Sequence, residues 1–189
     1  MTFKELRISG PDFAPYALGE PMYVYDRSIQ LGTLDPVDVT HGGTNVHITR
    51  FVATSLVKTR KRNIDPLVLL EVISFISERF LAVQTVSFSL RSEVASYKDA
   101  MKIASARSAL LERIGAHRVT ISPQPDSATP GNFVVQGVWA YNELNLAALG
   151  QCLRRERETY RDCEVSNPEA ARRSLRSRLR RLLSRDDDW

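Results

Sequence analysis

Hydrophobic and polar positions alternate with two different periods along the middle of the chain. The stretch NVHITRFVATSLV (Asn45–Val57) is rich in β-branched and apolar residues, which predicts a long strand. The stretch PLVLLEVISFISERF (Pro66–Phe80) is apolar on nearly every side, which predicts a helix buried against a sheet. The polar positions of that helix are Glu71, Ser74 and Glu78.

The next two elements have a clearer two-sided pattern. In Val83–Leu90, apolar residues alternate with the hydroxyl residues Thr85, Ser87 and Ser89, which predicts a strand with one apolar and one polar face. The polar face is interpreted as one partly open to water, and the alternative is that its hydroxyls line a cleft. Ser96–Ala116 has apolar residues at helical spacing, which predicts an amphipathic helix ending near a glycine.

The remaining segments are shorter and are separated by turn residues. We expect strands at Phe3–Ser9, Met22–Asp26, Ile29–Leu34, His117–Ser122 and Asn132–Tyr141. Paired glycines after His41 predict a hairpin turn, because glycine adopts positive φ without steric cost. We also expect a helix over Asn142–Cys163, with Leu146, Leu149, Cys152 and Leu153 facing inward.

This order of elements predicts an α/β (α+β) fold: one domain with a mixed, mostly antiparallel, twisted sheet flanked by helices. The domain is expected to cover residues 1–165. Residues 166–189 form a separate basic segment, predicted to be an amphipathic helix or a tail.

Composition narrows the class of protein. The chain has 189 residues, 43% of them apolar, and a formal net charge of +4, which is ordinary for a soluble globular protein. No apolar run approaches the ~20 residues that a membrane span needs. The first ten residues lack the apolar core of a secretory signal, so we expect a soluble, bacterial-type protein of the cytoplasm.

The cysteines and histidines do not predict a metal centre. Cys152 and Cys163 lie eleven residues apart on one expected helix. At ~1.5 Å per residue they are ~16 Å apart, too far for a disulfide. The three histidines are scattered through the sequence, so no metal cofactor is expected.

The turn between the long strand and the buried helix is the first candidate binding site. Lys58, Arg60, Lys61 and Arg62 all fall within it. A helix N-terminus attracts anions through its unpaired amides and its dipole, and adjacent cations strengthen that attraction. A phosphate-bearing ligand is one interpretation, and a solvated basic loop is the other.

The order of these elements resembles the GNAT (Gcn5-related N-acetyltransferase) fold. The order is a strand, a basic turn, a buried helix, a strand, a second helix and two further strands. Topologically the resemblance covers about residues 45–141. In that family the turn has the form [QR]-x-x-G-x-[GA], and Arg60–Asp65 stands at its position, with an asparagine for the glycine. The later helix of the family often ends Y-x-x-x-G-[FY]; Leu111–Ala116 keeps the glycine and has leucine for the tyrosine.

The resemblance implies an enzyme that transfers an acyl group from coenzyme A, or from an acyl carrier protein, to an amine or hydroxyl. Acyl-CoA is then the co-substrate. The residues implied to hold its phosphates are Lys58, Arg60, Lys61, Arg62, Asn63 and Ile64. The strands Asn45–Val57 and Val83–Leu90 are expected to splay and admit the acyl arm, with a backbone amide polarising the carbonyl.

His47 is the candidate general base. It lies on the strand before the basic turn, and a neutral imidazole accepts a proton near pH 7. A single histidine on a strand is also compatible with a structural or surface role.

A second functional hypothesis rests on the last segment of the chain. Arg172–Arg185 contains seven arginines and no acidic residue. Such a helix suits an acidic protein or the phosphates of a nucleic acid. The alternative function is therefore a non-enzymatic regulator or adaptor that binds through this helix.

Overall fold

Nine strands and three α-helices occur in the described part of the chain. The computed structural model describes residues 6–35, 37–53, 64–91, 96–124 and 132–165. The helices are α1 (Asp65–Arg79), α2 (Tyr97–Arg113) and α3 (Glu143–Val165). The strands are β1 (Arg7–Ser9), β2 (Met22–Asp26), β3 (Ile29–Leu34), β4 (Asp38–Thr40), β5 (Asn45–Ile48), β6 (Phe51–Ala53), β7 (Thr85–Arg91), β8 (His117–Pro123) and β9 (Phe133–Ala140).

The strands form two sheets. One has the order β1-β2-β3-β6 and the other the order β4-β5-β7-β9-β8. Among the described strands, only β5 and β7 pair in parallel, and the other neighbours are antiparallel. The prediction of a mixed, mostly antiparallel sheet flanked by helices is confirmed, with the strands divided between two sheets.

The predicted long strand Asn45–Val57 is wrong in one respect, because it is interrupted at Thr49 and Arg50. Its first part, β5, pairs with β7, whereas its second part, β6, leaves β7 and pairs with β3. This segment therefore joins the two sheets. Residues 54–57 lie outside the described residues.

Each helix begins close to its predicted start. The N-cap of α1 is Ile64, which offers no side-chain hydrogen bond, and Asp65 lies in the first turn. The Ser96 hydroxyl accepts a hydrogen bond from the Asp99 amide at 3.4 Å and caps α2. Asn142 Oδ1 accepts from the Asn145 amide at 2.9 Å and caps α3.

The core lies between the helices and one face of the five-stranded sheet, and it continues into the four-stranded sheet. Val46, Phe88 and Trp139 on that face are at most 2% exposed. The Trp139 indole donates a hydrogen bond to the Ile114 carbonyl at 2.7 Å, which joins the end of α2 to β9. On β5 and β7 the side chains of the opposite face are polar and half-buried or exposed.

α3 is held across α1 by a buried ion pair. The Arg157 guanidinium donates to both carboxylate oxygens of Glu71, at 2.7 Å each. The Tyr160 hydroxyl donates to Asp26 at 2.6 Å and so joins the helix to the end of β2. The expectation that Leu146 faces inward is wrong, because this side chain is 42% exposed.

Gly115 allows the chain to turn from α2 into β8. Its φ is +88°, and a Cβ atom placed there would lie on the side-chain amide of Asn145. That amide donates to the Ala140 carbonyl at 2.9 Å, so it is not free to move aside.

Gly115→Ala is expected to lower the free energy of unfolding by about 3 kcal/mol, because steric conflict adds to the ~1–2 kcal/mol cost of a left-handed alanine. Urea denaturation followed by circular dichroism measures the loss. Gly19→Ala is the matched control, since its φ is +94° with nothing within 4 Å of the added Cβ. Equal losses in the two variants would contradict the steric part of the prediction.

Candidate active site

An apolar slot opens where the chain leaves β7 after β5 and pairs with β3 as β6. The N-terminal turns of α1 and one face of α2 close it from the side of the helices. Its apolar lining consists of Leu34, Ile48, Phe51, Pro66, Val68, Leu69, Leu90, Ile103, Ala106 and Leu110. The cavity volume of about 60 Å³ is enough for a short aliphatic chain or a few waters.

The slot exists because the backbone changes partners. Up to Thr49 the segment bonds to β7, where the Thr49 carbonyl accepts from the Arg91 amide at 3.2 Å. The Arg50 carbonyl faces the other way and accepts from the Asp35 amide at 3.3 Å. Since successive residues of a strand direct their backbone groups to opposite sides, the Phe51 amide is directed away from β3, and Phe51 also lines the slot.

Three arginines surround this apolar lining. Arg50 and Arg91 are exposed at its edge, and Arg107 is half-buried on α2. Arg107 is fixed in place, because its guanidinium donates to the Arg91 carbonyl at 3.0 Å and pairs with the Asp65 carboxylate at 3.3 Å. An apolar cavity with a cationic edge suits a ligand that combines a short acyl chain with anionic groups.

The Asp65 carboxylate would by itself repel an anion at the start of α1. Its pairing with Arg107 offsets that charge, and the side chain of Asp65 is 39% exposed whereas that of Arg107 is 16% exposed. The negative charge of Asp65, the last residue of the basic turn, is therefore compensated by a residue 42 positions later in the chain.

The predicted phosphate-binding residues fall largely beyond the structural description. Lys58, Arg60, Lys61, Arg62 and Asn63 lie outside the described residues. Ile64 is described: it is 4% exposed and precedes α1, whose first residues Asp65 and Pro66 line the slot. The predicted role of this turn in binding phosphates stays a prediction.

His47 lies on β5 and faces away from the slot. Its neighbour Ile48 lines the slot from the buried face, and adjacent strand residues point to opposite faces. The His47 ring is half-buried on the polar face, where Nδ1 lies 2.8 Å from the Ser87 hydroxyl. The structure therefore places the candidate base and the apolar slot on the two faces of the same sheet.

Sequence reasoning did not identify the arginines of the slot. Arg50 was the one with a visible signal, since it is the one charged side chain within the predicted strand Asn45–Val57. Arg91 and Arg107 gave no signal, because an arginine at the end of a strand or on an exposed helix face is common.

Two further expectations concern the ends and surfaces of the molecule. The basic stretch Arg172–Arg185, with its predicted acidic-protein or nucleic-acid partner, lies outside the described residues. In the part of the chain that the structure describes, no helix combines the length and the hydropathy required to cross a bilayer.

Comparisons with known proteins found similarity only to solved structures. No family model matches the sequence, and no curated protein matches it. An acetyltransferase of Bacillus subtilis, solved in complex with CoA, is similar over 66% of this chain and 78% of its own, with 12% identity and a TM-score of 0.42. The N-terminal domain of the ribosomal-protein-alanine acetyltransferase of Clostridium acetobutylicum is similar over 66% of this chain and 86% of its own, with 12% identity and a TM-score of 0.43.

Proposed function

We propose that the protein transfers an acyl group from acyl-CoA, or from an acyl carrier protein, to an amine or hydroxyl acceptor. The observation that carries the proposal is the apolar slot between β6 and β7, which is open beside the N-terminus of α1. Both donors present the acyl group as a thioester at the end of a phosphopantetheine arm. Such a ligand has the apolar end and the anionic body that the slot and its arginines fit.

The acyl chain would lie among Ile48, Val68 and Leu90, with its thioester carbonyl near the Phe51 amide. A backbone donor held in a water-poor site stabilises the negative charge that develops on such an oxygen when a nucleophile attacks. Arg50 and Arg91 would contact the phosphates of the arm. The predicted turn Lys58–Asn63 would extend this cationic edge toward the nucleotide of coenzyme A.

The acceptor would approach from the polar face of the sheet. After Thr49 the chain leaves β7 and pairs with β3, and in this proposal the acceptor reaches a carbonyl held in the slot through the space between β6 and β7. His47 lies two residues before Thr49, which is about 7 Å along a strand. In this proposal His47 accepts the acceptor's proton, directly or through one water.

Calorimetric titration of the full chain with acetyl-CoA, longer acyl-CoAs and free coenzyme A tests the proposal. We expect micromolar binding, and the double variant Arg50→Ala/Arg91→Ala is expected to weaken it roughly 10- to 100-fold, the usual cost of lost charge-assisted hydrogen bonds. Arg60→Ala/Arg62→Ala is expected to weaken it in the same direction if the basic turn binds phosphate.

The control is Arg154→Ala/Arg155→Ala, which removes the same charge from the exposed side of α3. It is expected to bind acyl-CoA like the natural chain. The second titration uses an acyl carrier protein loaded with the same acyl group, since this donor lacks the nucleotide of coenzyme A. If neither donor binds at millimolar concentration, the proposed function is wrong.

A further inference from the structure

A hydrogen-bonded network joins three strands on the polar face of the five-stranded sheet. Its members are Thr40 on β4, Asn45 and His47 on β5, and Thr85 and Ser87 on β7. Asn45 is the centre: its Nδ2 atom donates to the Thr40 hydroxyl at 2.8 Å and to the Ser87 hydroxyl at 3.2 Å. The network brings together residues up to 47 positions apart, so it is a product of the fold.

The direction of these hydrogen bonds follows from the orientation of the Asn45 amide. The Thr85 hydroxyl donates to Asn45 Oδ1 at 2.9 Å, which fixes the carbonyl end of the amide toward β7. The amide nitrogen then points its two hydrogens to Thr40 and Ser87. Ser87 Oγ therefore uses one of its two lone pairs to accept from Asn45.

The two remaining contacts of Ser87 differ between the two tautomers of the imidazole. Ser87 Oγ donates to the Val46 carbonyl at 3.4 Å, and it lies 2.8 Å from His47 Nδ1. If Nδ1 carries the proton, it donates to the second lone pair, and all three hydrogen-bonding positions of the hydroxyl are used. If Nε2 carries the proton, the hydroxyl donates to Nδ1 instead and gives up its 3.4 Å bond to the Val46 carbonyl.

We infer that Ser87 is a positioning residue for His47, holding the neutral ring with its proton on Nδ1 and its Nε2 lone pair available. The inference rests on the proposed acyl transfer for its functional meaning. When the acceptor's nitrogen or oxygen bonds to the thioester carbonyl carbon, the proton of the acceptor moves to Nε2 and the C–S bond then breaks. The imidazolium that forms keeps the same bond from Nδ1 to Ser87, so the ring does not turn.

One charged group also faces the ring across the strand pair. Asp38 on β4 is the register partner of His47 and lies on the same face of the sheet. A carboxylate at this cross-strand position acts on the ring through its charge. Its charge does not select between Nδ1 and Nε2, so the tautomer reports on the hydrogen bond to Ser87.

The tautomer is measured on the full chain carrying ¹⁵N-labelled histidine, with His47→Gln identifying the resonances. Two-bond ¹H–¹⁵N spectra of the neutral ring distinguish the two tautomers. We expect Nδ1–H for His47 in the natural chain, and a loss of this preference in Ser87→Ala. Ser87→Thr keeps the hydroxyl and is expected to restore it.

Ser89→Ala is the matched control, because Ser89 lies two residues further along β7 on the same face and pairs with Gln136 rather than with β5. Its spectrum is expected to match that of the natural chain. A natural chain with the proton on Nε2, or an unchanged tautomer in Ser87→Ala, overturns the inference.

Steady-state kinetics with an acyl-CoA provides the second readout. Ser87→Ala is expected to lower kcat roughly tenfold or more, as misplacement of a catalytic group does. KM for acyl-CoA is expected to stay the same, since the slot lies on the opposite face. A preserved kcat together with a changed tautomer refutes the positioning role. If the natural chain transfers no acyl group at all, the proposed function itself is refuted. The tautomer measurement then decides only the geometry of the His47–Ser87 pair.

Discussion

Ala106→Phe is expected to weaken the binding of acyl-CoA roughly 100-fold or more. Ala106 lies on the face of α2 that closes the slot, at its mouth, and its side chain is exposed. A phenyl ring there would occupy the space through which the acyl chain enters. Forcing a ligand past an added ring carries the cost of overpacking, about 1–3 kcal/mol or more.

Ala109→Phe is the matched control for this substitution. Ala109 lies on the same helix, is also exposed, and does not line the slot. Calorimetric titration is expected to show binding like that of the natural chain for Ala109→Phe, and circular dichroism is expected to show both variants folded. Full binding by Ala106→Phe would mean that the slot is not the acyl site.

Arg157→Ala is expected to lower the free energy of unfolding by about 3–5 kcal/mol, the usual effect of leaving a buried charge without its partner. Glu71 is 5% exposed and Arg157 21% exposed, and two hydrogen bonds join them at 2.7 Å. Removing the guanidinium leaves the Glu71 carboxylate in the apolar interface between α1 and α3. Urea denaturation followed by far-ultraviolet circular dichroism measures the loss.

Two further variants separate the ion pair from a general effect on α3. Arg155→Ala removes an exposed arginine from the same helix and is expected to cost less than about 0.5 kcal/mol. Glu71→Leu/Arg157→Met replaces both charges by apolar groups of similar length and is expected to recover most of the stability. A loss below 1 kcal/mol in Arg157→Ala would contradict the prediction.

Local signals in the sequence were enough to predict most of the elements. Asp65–Arg79 is apolar on nearly every side, and Asn142 and Gly115 stand where helices begin and end. The alternation in Thr85–Arg91 correctly separated a buried face from a polar one. Each of these inferences depends on residues that are neighbours in the chain, which is why the sequence alone supports them.

Features that depend on distant partners were missed. Nothing in NVHITRFVATSLV marks the break at Thr49, because the break follows from the pairing of Phe51 with Leu34 on another strand. Glu71 belonged to a polar stripe of α1, and its burial follows from Arg157, which lies 86 residues later. The slot combines five separate segments, and His47 meets Ser87 across 40 residues through the register of β5 and β7.

The strand segment that joins the two sheets also determines when a ligand site can exist. The slot needs β5 paired with β7 and β6 paired with β3, so neither sheet alone encloses it. A chain in which one sheet has opened has no site, and a ligand bound in the slot favours the state with both sheets closed. Ligand concentration would therefore raise the melting temperature of the two sheets together, by mass action on one cooperative unit.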